Sequence, residues 1–143
     1  ERGSNVQENC IIHVFPGKDV LLKEGSHIGH GAVIHGATIE PNCLIGMNAV
    51  VMDDAVIGKE SIVGALTFIK QGTQVPQRSV YAGNPGKKVK DVSDEMLKWK
   101  TEGTQWYKNL PESFRSSLSS CEPLIQDDRN RPRAKGGFSM LKK

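Results

Sequence analysis

Residues 33–81 read VIHGATIEPNCLIGMNAVVMDDAVIGKESIVGALTFIKQGTQVPQRSVY. Every sixth residue of this stretch is apolar. Six residues turn an α-helix by about 600°, so a helix cannot keep such a series on one face, and an ordinary strand has a period of two. A period of six instead predicts short strands separated by corners, three to a triangular coil. The positions are Val33, Ile39, Ile45, Val51, Ile57, Val63, Ile69, Val75 and Tyr81.

These repeats predict an all-β fold, a left-handed parallel β-helix of triangular coils with a C-terminal α-helix. We expect the β-helix to occupy residues 1–88 and a helical segment to occupy 89–125. Within that segment the apolar spacing favours an amphipathic helix from Ser93 to about Leu110. Residues 126–143 are expected to form a disordered tail.

The repeat is interrupted before residue 33. Val6 and Ile12 are six residues apart, but residues 14–19 read as an excursion from the coil. Ile28 restarts the pattern, and the phase slips by one residue between 28 and 39. Downstream, residues 82–86 are expected to close the last coil. Corners need a permissive backbone, which Asn48, Asp53, Asp54 and Asn84 would supply.

Charge and composition exclude several classes of protein. The net charge of +3 comes from residues 129–143, which carry six basic and no acidic side chains, while the rest of the chain is net negative. Nucleic-acid binding is therefore a weak expectation. No apolar run reaches the roughly 20 residues of a membrane span. Three widely spaced cysteines (Cys10, Cys43 and Cys121) do not suggest a disulfide framework, so a cytoplasmic, reducing location is expected.

The four histidines, His13, His27, His30 and His35, are clustered in one short part of the chain. In the six-residue register, His30 and His35 fall off the inward positions and project from neighbouring faces of the triangle. One subunit cannot bring both to a point, but a threefold interface can. The pattern therefore predicts a homotrimer whose chains share a metal site, with three imidazoles and one open position. His27 is expected in a turn and outside the ligand set.

Several motifs resemble the γ-class carbonic anhydrase family. They are Asn5-Val6-Gln7-Glu8-Asn9-Cys10-Ile11-Ile12-His13, Gly29-His30-Gly31-Ala32-Val33-Ile34-His35-Gly36 and Ile45-Gly46-Met47-Asn48-Ala49. Within that family the chain is most similar to the subgroup encoded with phenylacetate-degradation and carnitine-metabolism genes. That subgroup shares Val92-Ser93-Asp94-Glu95, Trp99-Lys100 and Glu122-Pro123-Leu124.

The resemblance implies a set of roles. His13 and His35 of one subunit and His30 of its neighbour would bind Zn²⁺, with Fe²⁺ or Co²⁺ as alternatives. Gln7 would take the place of the family's active-site glutamine and orient the attacking oxygen. Glu8 would hold an ion pair at the interface. The implied reaction is hydration of CO2 to bicarbonate.

Three departures from the family weaken that reading. The family's Arg-Gly-Asp, about two and a half hexads before the glutamine, has no counterpart in this chain, so N-terminal coils are expected to be missing from it. Pro16 stands where well-studied members carry a proton-carrying glutamate. Residues 82–88 are similar to the closing turn of hexapeptide acyltransferases, which bind coenzyme A.

Three functions therefore stay open. One is a zinc-dependent carbonic anhydrase, a lyase. The second is an enzyme acting on acyl-coenzyme A, either a thioesterase or a transferase, in which a metal or a lone histidine assists the reaction. The third is a scaffold protein whose metal holds the trimer together.

Overall fold

The computed structural model describes residues 1–126, in which short strands wind into stacked coils followed by one long helix. Equivalent strands of successive coils pair in parallel, so each of the three faces is a sheet. The first sheet contains β1 (Asn5–Val6), β4 (His27–Ile28), β7 (Leu44–Ile45), β10 (Ile62–Val63), β13 (Ser79–Ala82) and β14 (Lys87–Asp91). The second contains β2 (Ile11–His13), β5 (Val33–His35), β8 (Val50–Val51) and β11 (Phe68–Ile69). The third contains β3 (Leu21–Leu22), β6 (Thr38–Ile39), β9 (Val56–Ile57) and β12 (Gln74–Val75).

This architecture confirms the predicted fold class, a parallel β-helix of hexapeptide repeats with a C-terminal helix. Each two-residue strand turns one side chain inward and one outward, because side chains alternate along a strand. The inward residues of successive coils stack on one another and are fully buried. They include Ile28, Ile34, Ile39, Ile45, Val51, Ile57, Val63 and Ile69.

The coils differ in length. Along the first sheet Asn5 pairs with His27, and His27 pairs with Leu44. Leu44 in turn pairs with Ile62, and Ile62 with Val80. The numbering of these partners makes the first coil the longest of the series and the second coil the shortest. The long first coil contains the predicted excursion, since residues 14–20 connect β2 to β3 without a strand.

The register expected at Val33 is wrong by one residue. Ile34 pairs with Val51 and is fully buried, whereas Val33 pairs with Val50 and is only partly buried. The reason is a corner that is one residue short, because the next core position, Ile39, follows Ile34 after a step of five instead of six. The predicted phase slip therefore falls at this corner.

Left-handed backbone at the corners explains the asparagine and aspartate content of the repeats. Asn48 and Asp54 have φ of 55° and 59°, as their short polar side chains permit. Asp53, which was expected to serve a corner in the same way, has another role described below.

The parallel stack ends in a hairpin. Residues 82–86 were expected simply to close the last coil, but residues 83–86 instead turn the chain back so that β14 pairs antiparallel with β13. The six-residue pattern could not reveal β14, because this strand is largely charged and exposed.

The single helix of the described residues, α1 (Asp94–Ser117), lies against the first sheet. Ser93 caps its N-terminus by accepting a hydrogen bond from the Met96 amide. The predicted end near Leu110 is wrong, since α1 continues through Pro111 to Ser117. Proline usually ends a helix because it lacks an amide donor, but this stretch is exposed to solvent, where a carbonyl left unpaired can bind water.

Two further expectations concern membrane spans and the C-terminal tail. No helix within residues 1–126 is long and apolar enough to cross a membrane. The basic tail predicted for residues 126–143 lies, apart from its first residue, outside the described residues.

Candidate functional site

Two of the predicted metal ligands come together at the ends of neighbouring strands of the second sheet. His13 ends β2 and His35 ends β5, and the two residues are partners in the parallel register. Their rings lie side by side, with His13 Nδ1 3.0 Å from His35 Nε2. Two nitrogens bound tetrahedrally to one Zn²⁺ at ordinary bond lengths are about 3.3 Å apart. The pair therefore fits two positions of the expected metal site.

A carboxylate completes this cluster from the next coil. Asp53 Oδ2 lies 2.8 Å from His35 Nδ1, and both side chains are largely buried. A carboxylate in this position holds the proton on Nδ1 and leaves the lone pair on Nε2. Carboxylates orient catalytic and metal-binding histidines in the same way. We call His13, His35 and Asp53 the histidine–aspartate cluster.

The short corner after His35 makes room for this carboxylate. Gly36 has φ of 54°, and a Cβ built on it would contact Asp53 Oδ1 far inside van der Waals distance. Other corner residues of this chain, Leu66 among them, adopt the same left-handed backbone, so it is the approach of Asp53 that favours glycine at position 36. Asp53 is a site residue that the six-residue pattern did not single out, although alignment of the coils places it directly over Gly36.

The excursion between β2 and β3 covers the imidazoles. The ring of Phe15 meets that of His35 edge to face, with centroids 5.0 Å apart, and lies 6.4 Å from that of His13. Lys18, at the end of the same loop, pairs with Asp54 at 2.6 Å and fastens the loop to the stack. The interruption of the repeat thus builds one wall of the cluster.

The third predicted ligand lies at a different corner. His30 is in the turn between β4 and β5, so it stands at the opposite end of the second sheet's strands from His35. Its Nδ1 is 2.9 Å from Glu8 Oε2, and its amide donates to Gln7 Oε1 at 2.9 Å. Within residues 1–126 of a single chain, no three metal-binding side chains meet at one point. This placement agrees with the divergence argued from the register.

His27 was expected in a turn, and this prediction is wrong. It lies in β4 and is 8% exposed, because β1 already begins the stack and pairs with β4 on one side. Its Nε2 is 3.0 Å from Gln7 Nε2, and its ring packs against Tyr107 of α1. Burial, and then the positive charge of Lys100, lower its pKa to about 4. His27 is therefore neutral, and its Nε2 can accept a hydrogen bond from the side-chain amide of Gln7.

Comparison with known proteins places this chain in a family. Residues 36–71 match the family model described as bacterial transferase hexapeptide (six repeats). The carnitine operon protein CaiE of Salmonella agona is 44% identical over 136 residues, which cover 95% of this chain and 69% of that protein. CaiE of Escherichia coli K12 is 43% identical with the same coverage.

Solved structures share the fold. The hexapeptide transferase family protein of Anaplasma phagocytophilum superposes with a TM-score of 0.75 at 26% identity, covering 79% of this chain and 66% of that one. A mutant of AntD, an N-acyltransferase of Bacillus cereus, superposes with a TM-score of 0.58 over 72% of this chain and 67% of that one, but at 14% identity it shows only the fold. The expected likeness to proteins encoded with carnitine-metabolism genes is confirmed, and the chain belongs to the hexapeptide-repeat family that includes the CaiE proteins.

Proposed function

We propose that this protein is an enzyme that acts on acyl-coenzyme A thioesters, with the histidine–aspartate cluster as its reacting centre. The observation that carries the proposal is the hydrogen-bonded series from Asp53 Oδ2 through His35 to His13. Support also comes from membership of a transferase-type repeat family and from relatives named for the carnitine operon.

The cluster has the parts needed for hydrolysis of a thioester. Asp53 fixes the tautomer of His35 and stabilises the charge that appears when the imidazole pair takes a proton. Water would attack the acyl carbon, forming a C–O bond as the C–S bond breaks. The proton lost by water passes to the imidazole pair and then to the departing thiolate. The products are a carboxylic acid and the free thiol.

The complete site requires a second chain in this proposal. We place His30 of one subunit beside His13 and His35 of the next in a homotrimer. Three imidazoles then face a common point, and Gln7 of the His30 subunit accompanies them, held by its bonds to the His30 amide and the His27 ring. Glu8 pairs with His30 of its own chain, and its ion pair at the interface stays a prediction.

The nitrogens of His13 and His35 fit a divalent cation, as their separation indicates. When bound, such an ion, Zn²⁺ foremost, would supply Lewis-acid polarisation and a lowered pKa for water at that point, and would then take the place of the imidazole pair as the group that activates water. His13, His35 and the neighbouring subunit's copy of His30 would hold it, and Asp53 would orient His35 toward it.

Hydration of CO2 is the second candidate. It is favoured by one specific arrangement, the amide of Gln7 fixed directly beside His30, as the carbonic anhydrase resemblance implies. We expect a glutamine side chain that is held in one orientation to assist a small substrate such as CO2 more than a long thioester. The same three histidines would serve both reactions, so assays with each substrate distinguish them.

The test compares Asp53→Asn with Asp91→Asn. Asp91 is an exposed carboxylate of the first sheet that pairs with Lys88 and contacts no imidazole of the cluster. We expect wild-type protein to release free thiol from acyl-coenzyme A, Asp53→Asn to lose at least about tenfold in that rate, and Asp91→Asn to stay within about twofold.

Metal analysis and CO2 hydration are measured on the same samples, with His30→Ala as the metal-binding control. Wild-type protein that hydrates CO2 but releases no thiol from any acyl-coenzyme A would replace the proposal with the second candidate. An unaffected Asp53→Asn variant would remove the histidine–aspartate cluster from the mechanism.

A further inference from the structure

A cavity of about 510 Å³ lies between α1 and the first sheet. Its sheet side is made by Leu44 and Ile45 of β7, by Met47 in the turn that follows, and by Ala65 one coil further on. Leu44, Met47 and Ala65 offer only aliphatic and thioether surface, and the fully buried Ile45 lies at the boundary with the core. None of these four carries a charge, so this wall suits an apolar occupant.

The helix side of the cavity contains an unusual residue choice. Gly103 lies in the interior of α1, where glycine is less favourable than any residue except proline. It lines the cavity together with Trp99, one turn before it, and Tyr107, one turn after it. Having no side chain, Gly103 takes up none of the space that these aromatic residues border, at a cost to the helix.

The cavity adjoins one half of the proposed active site. Gln7 and His30 are part of its wall, and His27 lies beneath Gln7 on the same side. A molecule that fills the cavity would therefore reach both Met47 and His30. The charged group on the helix side is already engaged, because the Lys100 ammonium donates to the Gly25 carbonyl and to the Asn42 side chain.

We infer that this cavity binds the acyl chain of the thioester substrate, an inference that rests on the proposed function. A methylene group displaces about as much volume as a water molecule, roughly 30 Å³. At that size, 510 Å³ is far more than an acetyl group needs and corresponds to about 17 methylene-sized groups. The substrate class is therefore a medium- to long-chain acyl thioester, whose carbonyl end lies toward His30 and whose tail lies along α1.

Both tryptophans of the chain, Trp99 and Trp106, line the cavity, so their fluorescence reports its occupancy without any reaction. The experiment titrates straight-chain carboxylates from acetate to decanoate into wild-type protein. Each added methylene should lower the dissociation constant about fourfold throughout this series, because even decanoate is smaller than the cavity. Acetate should not bind measurably.

Gly103→Leu fills the cavity without weakening helix propensity, and Glu102→Leu is its matched control because residue 102 is on the exposed side of the same turn. We expect Gly103→Leu to weaken octanoate binding at least tenfold and Glu102→Leu to change it less than twofold. In thiol-release assays, Gly103→Leu should lose its preference for octanoyl- over acetyl-coenzyme A. Thermal unfolding and sedimentation of each variant verify that fold and assembly are intact.

The outcomes separate this inference from the proposed function. If carboxylates bind in a chain-length-dependent way but no thiol is released from any acyl-coenzyme A, the cavity binds apolar chains and the enzymatic proposal is wrong. Thioester hydrolysis that is independent of chain length and unchanged in Gly103→Leu would overturn the inference alone. A Gly103→Leu variant that fails to assemble would show that a neighbouring subunit occupies the cavity, and would overturn it as well.

Discussion

The side chain of Gln7 is oriented by His27, which was expected to lie outside the set of metal ligands. Its Oε1 accepts from the His30 amide, so its NH2 group faces His27 Nε2, which must carry a lone pair to accept. Burial supplies that condition by lowering the pKa of His27 to about 4. A residue that was expected to be incidental therefore determines which way the glutamine points.

This arrangement predicts a pH dependence of stability. Between pH 6.5 and 4 the unfolded chain protonates His27 and the folded chain does not, so the folded state loses stability as the pH falls. Its share of the free energy of unfolding should decrease by about 2 kcal/mol between pH 7 and pH 5. Urea unfolding of wild-type protein and of His27→Gln, at equal protein concentration, measures that share as a difference. Parallel pH curves for the two proteins would contradict the burial of a neutral His27.

At the scale of the element, the short corner between β5 and β6 decides the geometry of the histidine–aspartate cluster. The long first coil places His35 directly over His13, and the corner that is one residue short follows immediately after His35. The same corner leaves Gly36 facing Asp53 without a side chain between them. Local chain length and local glycine content thus act together to place a buried carboxylate against an imidazole.

Two glycines with similar backbone angles allow this corner to be tested. Gly36 and Gly72 have φ of 54° and 70°, but a Cβ at Gly72 would meet nothing within 4 Å, whereas one at Gly36 would meet Asp53. Gly72→Ala should lower the free energy of unfolding by about 1–2 kcal/mol, through left-handed strain alone. Gly36→Ala should lower it further and also reduce metal binding and thioester hydrolysis, because Asp53 must move. Equal effects of the two substitutions on unfolding and on metal content would remove the corner from the site.

At the scale of the whole molecule, the β-helix separates residues that the proposed site would bring together. His30 and His35 are close in the sequence, but they occupy opposite ends of the second sheet's strands. A rigid stack cannot bend to close that gap, because every coil is hydrogen-bonded to its neighbours. Assembly is then the one means by which the proposed site can form, and oligomeric state becomes a condition of metal binding.

Complementation between variants tests the shared site directly. His30→Ala and His35→Ala should each bind almost no metal, since every interface lacks one ligand. In co-expressed, randomly mixed trimers, about one quarter of the interfaces combine an intact His35 with an intact His30 from the next chain. Metal content of the mixed trimers should therefore recover to about a quarter of the wild-type value. Mixed trimers that form but stay metal-free would argue for a site within one chain, or for none.

The sequence by itself determined the architecture, because a six-residue period of β-branched residues has one economical solution, and Ile45, Ile57 and Ile69 lie where that period puts them. It also separated His30 from His35, since the register alone assigns them to different faces. The tertiary structure decided the contacts that a six-residue period does not specify. Asp53 reaches His35 only because a corner is short, His27 is buried only because β1 stacks on its strand, and the cavity exists only because α1 lies against the first sheet. Contacts between coils and between helix and sheet join residues with no fixed spacing along the chain, so periodicity cannot find them.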